Sequence, residues 1–84
     1  MIHSEDFKEV TKALKHAETK HPKFPTDIVK MTAIMVEEAG EALREANTLD
    51  EGRGSLTELK EELYQTIAVC FRELSQIRRL YDKD

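Results

Sequence analysis

The chain has 84 residues, of which 39% are hydrophobic and 36% are charged, and it contains no tryptophan, three glycines and two prolines. Thirteen basic residues against seventeen acidic ones give a net charge of -4, and the basic residues are scattered along the chain, which argues against nucleic acid as the main partner. The longest apolar run, residues 67–71, is far shorter than the roughly 20 residues of a membrane span, and no signal peptide is recognisable, so we expect a cytoplasmic protein without a membrane segment.

The first predicted element is a helix over about residues 5–20. Its apolar residues recur three and four positions apart, and Ser4 is the predicted N-cap in front of an acidic first turn. The next segment, HPKFPTD, contains both prolines, which end this helix, and Thr26 or Asp27 is expected to cap the following one.

The second predicted helix covers about residues 27–48. Its apolar stripe carries small residues in the second half, which would let a neighbouring helix come close. The segment DEGRGS then interrupts the pattern with two glycines, and Ser55 with Glu58 forms a capping box that starts a third helix. The stripe consists of Ile28, Met31, Met35, Ala39, Ala42, Ala46 and Leu49.

The third predicted helix covers about residues 56–80 and carries two apolar strips. The main seam has the alternating spacing of a coiled coil, and a second strip lies on the far side, so one neighbouring helix cannot cover both. We therefore expect an all-α fold in which the third helix mediates oligomerisation. The seam consists of Leu56, Leu59, Leu63, Ile67, Cys70, Leu74, Ile77 and Tyr81, and the second strip of Tyr64, Ala68 and Phe71.

The second helix contains an unusual acidic segment, VEEAGEALRE, at residues 36–45. Helical spacing projects Glu38, Glu41 and Glu45 to one side and turns Glu37 away from them. With about 100° per residue, Glu38 falls at the edge of the apolar stripe, where like charges are costly unless a positive group compensates them.

A second group of acids occurs early in the third helix, and if the two helices form a hairpin, carboxylates from both can face a common space. Several carboxylate oxygens are what a hard cation such as Mg²⁺ requires, and such sites usually handle phosphate substrates. The alternative is a solvated acidic face that is eased by neighbours such as Arg44. The second group consists of Glu58, Glu61 and Glu62, followed one turn later by Gln65.

The segment EEAGEALREA, followed after a turn by EELYQTIAVCFREL, resembles the E-E-x-x-E and E-x-x-D motifs of the MazG-like, all-α nucleotide pyrophosphohydrolases. The resemblance spans about residues 27–74, and HPKFP is similar to the loop that precedes the first motif in some small phage and bacterial members. It implies a helical chain that assembles into a four-helix-bundle-type homodimer or homotetramer. It also implies hydrolysis of nucleoside triphosphates to monophosphate and pyrophosphate with Mg²⁺, or Mn²⁺ as the alternative ion.

The resemblance also assigns roles to individual residues. Glu38 and Glu41 match the metal ligands of the first motif and Glu37 matches the acidic residue before them, so that Glu37 and Glu38 are the expected catalytic carboxylates. Glu62 matches the glutamate of the second motif. Gln65 stands where that motif has aspartate, and because glutamine keeps a carbonyl oxygen without the charge, we expect weaker metal binding.

Other residues are weaker candidates for contacts with a nucleotide. Phosphates could meet Lys23, Lys30, Arg44 or Arg53, although each of these is also readily explained as a solvated surface cation. His16 and His21 could act as ligands or bases, but they do not have the spacing of a metal-binding pair. Phe24 could stack on a nucleobase or plug the end of the bundle.

Two functions therefore remain open from the sequence. The first is a Mg²⁺-dependent pyrophosphohydrolase acting on an NTP or dNTP. The second is a catalytically degenerate bundle that binds nucleotide or metal without turnover, or that serves as an oligomeric interaction module. Gln65 favours the second function, whereas the retained carboxylates favour the first.

Overall fold

The computed structural model describes residues 1–82 and contains three helices in this range, with no strand. They are α1 (Ser4–Lys20), α2 (Ile28–Asp50) and α3 (Leu56–Leu80). The predicted all-α class and the three predicted helices are thus confirmed, with bounds that differ by at most two residues. None of the helices in this range is both long enough and apolar enough to cross a membrane. Residues 83 and 84 of the predicted single domain lie outside the described part.

The N-cap predictions are confirmed for two helices and wrong for one. Asp27 accepts a hydrogen bond from the backbone N–H of Val29 at 3.1 Å, and Ser55 accepts one from Glu58 in the same way. In α1, however, Ser4 is already helical, and the Nδ1 atom of His3 accepts the hydrogen bond from Glu5. An imidazole nitrogen can fill this role because a cap needs only an acceptor within reach of a free N–H.

The turn between α2 and α3 folds the two helices back on each other. Both of its glycines have positive φ, 85° at Gly52 and 72° at Gly54, a region that residues with a side chain rarely adopt. A Cβ atom at Gly54 would also come within 3.2 Å of the methyl group of Thr48. These two glycines therefore make the antiparallel hairpin of α2 and α3 possible.

The central helix is α3, which packs against α2 on one side and α1 on another, whereas the backbones of α1 and α2 are not packed against each other within residues 1–82. Side-chain hydrogen bonds tie both partners to α3: Thr32 of α2 donates to Glu73 at 2.7 Å, and Tyr64 donates to Asp6 of α1 at 2.6 Å. Because α1 and α2 stay apart, a cleft opens between them above α3. The buried side chains are Val10, Ala13, Met31, Ala42, Ala68 and Val69.

One side of the hairpin is apolar and uncovered in the single chain. Helical periodicity places large apolar residues of α2 and α3 on the side of the hairpin that faces away from α1, and their side chains are between 42% and 73% exposed. The seam predicted for α3 is therefore not the buried face of this helix within one chain. We call this surface the open apolar face; it consists of Val29, Val36, Leu43, Leu56, Leu63, Ile67 and Leu74.

Candidate metal centre

The cleft between α1 and α2 has a volume of about 650 Å³, which lies within the range of small-molecule sites in proteins. Its floor is formed by α3, and the loop at residues 21–27 closes one end. Carboxylates from α2 and α3 line the cleft together with histidines and lysines from α1 and this loop. The polar, charged and aromatic residues that line it are His16, Lys20, His21, Lys23, Phe24, Glu38, Glu41, Glu62, Gln65 and Arg72.

Three glutamates converge in this cleft. Glu38 and Glu41 lie almost one turn apart on α2, and Glu62 reaches them from α3, so that one carboxylate oxygen of each lies within 4.8 Å of the others. All three side chains are half-buried. The hairpin thus produces the common space that the two acidic segments predicted, and the three carboxylates belong to two different helices.

The three carboxylates repel one another. The pKa of Glu38 is raised, first because burial removes water from its carboxyl group, and then because Glu41 and Glu62 are close. The pKa of Glu62 is raised by the same two effects, burial and the charge of Glu41, while Arg44 partly offsets them. No ion pair to any of the three is present among the described residues. Within residues 1–82, the cluster is therefore not paired with a basic side chain, and Arg44 compensates its charge only in part.

The donor set of this cluster fits a hard divalent cation. Mg²⁺ binds oxygen at about 2.0–2.1 Å in an octahedral arrangement, which sets its ligand oxygens roughly 3–4 Å apart. The oxygens of Glu38, Glu41 and Glu62 lie within 4.8 Å of one another, so small side-chain movements would bring them to that spacing. Gln65 lines the same cleft and offers a neutral carbonyl oxygen.

The remaining predicted site residues are divided between the cleft and the surface. His16, His21, Lys23 and Phe24 line the cleft. Glu37 is exposed and lies outside it, although its charge still raises the pKa of Glu38. The other residues outside the cleft lining are Lys30 and Arg44, which are exposed, and Arg53, which pairs with Glu51 in the α2–α3 turn.

Two cationic residues of the cleft, Lys20 and Arg72, were not predicted from the sequence. Lys20 ends α1 and looks like an ordinary basic residue near a helix C-terminus. Arg72 belongs to a repeat on α3 that lies opposite the leucine seam, with alternating spacing of three and four. This repeat of mostly polar residues is the feature of the sequence that could have identified Arg72 as a cleft residue. It consists of Glu62, Gln65, Val69, Arg72 and Gln76.

Comparison of the chain with protein-family models, with curated proteins and with solved structures finds no match. The function is therefore inferred from the geometry of the cleft and from the motifs in the sequence.

Proposed function

We propose that the protein is a MazG-like nucleoside triphosphate pyrophosphohydrolase that converts an NTP or dNTP to monophosphate and pyrophosphate with Mg²⁺ or Mn²⁺. The observation that carries this proposal is the convergence of Glu38, Glu41 and Glu62 in one cleft. These are the residues that match the metal ligands of the two motifs. An acidic surface without function gives no reason for carboxylates from separate helices to meet at a half-buried position.

The charges around the cleft suit a triphosphate substrate. In the proposed site the three carboxylates and the oxygen of Gln65 would hold the divalent ion. Lys20 and Lys23 line the same cleft and would bind phosphate oxygens, together with the imidazoles of His16 and His21. Lys20 thus replaces Lys30 and Arg44, which lie outside the cleft, in the set of phosphate-binding residues that we propose.

Hydrolysis requires a water molecule to attack the α-phosphorus while the bond from that phosphorus to the bridging oxygen breaks and pyrophosphate leaves. When bound, the divalent ion would stabilise the negative charge on the phosphate oxygens. The attacking water must lose a proton to a carboxylate within reach of the cleft. Glu38 lines the cleft, whereas Glu37 is exposed and lies outside it. We therefore assign the role of base to Glu38, whose second carboxylate oxygen would stay free when the first binds the ion.

We also propose that two or more chains assemble through the open apolar face. Exposed apolar side chains that lie together on one face are typical of protein interfaces, and seven large apolar side chains on one side of a two-helix hairpin suit another hairpin of the same kind. Two hairpins packed in this way form a four-helix bundle with twofold symmetry. The homodimer is the smallest such assembly, and a homotetramer would need a further surface.

A second function is favoured by one specific observation. Gln65 lines the cleft beside the carboxylates, and it occupies the position where the resembled motif has a charged ligand. Weaker binding of the ion could leave a protein that binds nucleotide or metal without turnover, or one that acts only as an oligomeric interaction module. Measurement of products separates these functions from the enzyme.

The experiment that tests the proposal incubates the purified protein with each NTP and dNTP in the presence of Mg²⁺ or Mn²⁺. Release of pyrophosphate together with monophosphate is the expected result, and its loss in Glu41→Gln ties the activity to the cleft. Glu58→Gln is the matched control, because Glu58 is an exposed glutamate of α3 outside the cleft. Absence of product with every nucleotide and both ions would leave the non-catalytic alternative.

A further inference from the structure

The loop between α1 and α2, residues 21–27, is held in place by a side chain of α3 and by Tyr81, which directly follows this helix. Gln76 donates to the carbonyl oxygens of Phe24 and Pro25 at 2.9 and 3.1 Å, and Tyr81 donates to that of Thr26 at 3.1 Å. These carbonyls lie outside the helices, and no backbone N–H of the described residues donates to them. Two prolines further restrict the backbone of this loop. The loop is thus a fixed wall of the cleft.

Arg72 of α3 extends this bracing to the end of α1. Its guanidinium group donates to the carbonyl oxygens of Ala17 and His21, at 3.4 and 2.6 Å. The same group lies over the ring of Phe24, 4.9 Å from the ring centroid, within the distance of a cation–π interaction. Because main-chain carbonyls fix the guanidinium, it fixes the plane of the Phe24 ring in turn.

The Phe24 ring belongs to a wall between two cavities and does not fill a closed core. Lys23, Phe24 and Arg72 line the cleft of the carboxylates and also a second cavity of about 530 Å³. Phe24 is only half-buried. An aromatic ring that is fixed by a cation and borders open space offers a planar apolar surface to a ligand.

We infer that Phe24 is a stacking platform for the planar heterocycle of a nucleotide and that Arg72 is the positioning residue that orients it. This inference rests on the proposed function, which places the phosphates of the same ligand at the lysines and the carboxylates. A phenyl ring has no hydrogen-bonding group, so the platform selects a planar ring and not the identity of the base. A phosphate ester without an aromatic group would lose this contact.

The test compares two metal-free probes, AMP and ribose 5-phosphate, which differ by the base. Their affinities for the protein are measured by titration with detection of NMR chemical shifts. The wild-type protein should bind AMP about three- to tenfold more tightly than ribose 5-phosphate, as expected for one aromatic contact. Phe24→Leu, which keeps an apolar side chain, should remove this preference, and Phe24→Tyr should retain it.

The role of Arg72 is tested with Arg72→Lys, which keeps the positive charge but cannot reach two carbonyls in the same way. Its preference for AMP should fall towards that of Phe24→Leu, while its affinity for ribose 5-phosphate stays unchanged. A merely structural role of Arg72 would weaken binding of both probes equally. That result overturns the positioning role, and equal binding of both probes to the wild-type protein, or an undiminished preference in Phe24→Leu, overturns the platform.

These titrations do not depend on hydrolysis. A protein that releases pyrophosphate but shows no preference for AMP retains the proposed function and loses the stacking platform. A protein that prefers AMP through Phe24 but releases no product retains the platform and loses the enzymatic function.

Discussion

Glu38 of α2 and Glu62 of α3 bring carboxylate oxygens to within 4.8 Å of each other across the hairpin. Both side chains are half-buried, and the pKa of each is raised by burial and by the charge of Glu41. The hairpin would be more stable without these charges. Repulsion of this kind is typical of sites that trade stability for function.

The first prediction is that neutralising either carboxylate stabilises the protein when no divalent ion is present. Glu38→Gln or Glu62→Gln removes like-charge repulsion of about 0.5 kcal/mol, which corresponds to roughly 2–4 °C in Tm for a domain of this size. Thermal unfolding at pH 7 in the presence of a chelator measures the effect. Glu61→Gln is the control, because Glu61 is an exposed glutamate of α3 that lies outside the cleft and beyond the first helical turn, and it should change Tm little.

Added Mg²⁺ should raise the Tm of the wild-type protein more than that of these variants. An ion that binds only the folded protein raises its Tm, so the wild-type protein should gain stability with Mg²⁺ and the two glutamine variants should gain much less. Wild-type protein whose Tm does not respond to Mg²⁺ or Mn²⁺ would contradict a metal centre in this cleft.

The second prediction concerns the dependence of stability on pH. The folded-state pKa values of Glu38 and Glu62 are raised above the ordinary value of 4.5, so the folded protein binds these protons more tightly than the unfolded chain does. The contribution of these two groups to stability is therefore greatest below about pH 4.5 and is lost as the pH rises through their folded pKa values. At pH 7 both groups are ionised, and their burial and mutual repulsion lower the free energy of unfolding.

Paired measurements isolate this contribution from that of the other acidic residues. The difference in the free energy of unfolding between Glu38→Gln and the wild-type protein should favour the variant at pH 7 and shrink as the pH falls to about 4.5. A difference that stays constant between pH 4.5 and 7 would show that Glu38 titrates as in the unfolded chain.

Local sequence signals were sufficient to predict the helices. Periodicity gave all three helices, and two prolines and two glycines marked the connections between them. The convergence of Glu38 with Glu62 could also be predicted, because a short turn forces two long helices into a hairpin. These features depend on neighbouring residues or on a single chain reversal.

The position of α1 relative to the other two helices could not be predicted from periodicity and turn residues. Periodicity shows that α1 has an apolar side but not which helix it packs against. Lys20, which lines the cleft from this side, thus looked like an ordinary surface residue, and His16 was only a weak candidate for a ligand or base. The role of Arg72 was not predicted because its partners are main-chain carbonyls, which every residue has and which a sequence pattern therefore cannot identify.

The third prediction compares two serines at the starts of helices. Ser55 accepts the hydrogen bond from Glu58 at the start of α3, whereas Ser4 does not cap α1. Ser55→Ala should therefore lower the free energy of unfolding by about 1 kcal/mol, and Ser4→Ala should change it little. Denaturant unfolding of the two variants measures the difference, and equal losses would contradict the assignment of caps.

The fourth prediction concerns the open apolar face. Leu43→Lys and Leu63→Lys each place a charge on this face, one on α2 and one on α3, and should convert the proposed dimer or tetramer to a monomer. Phe7→Lys is the control, because Phe7 is a similarly exposed apolar residue of α1 outside this face. Light scattering after size-exclusion chromatography gives the mass of each species. A monomeric wild-type protein would contradict the proposed assembly.

The fifth prediction is that Gln65→Asp tightens metal binding. The change adds a fourth carboxylate to the cleft, so we expect about tenfold or greater affinity for Mn²⁺ together with a lower Tm in the presence of a chelator. Gln65→Asn is the matched control, because asparagine has the size of aspartate without its charge. Isothermal titration with Mn²⁺ measures both variants. Equal affinities would show that Gln65 does not reach the ion, and its presence would then say nothing about lost activity.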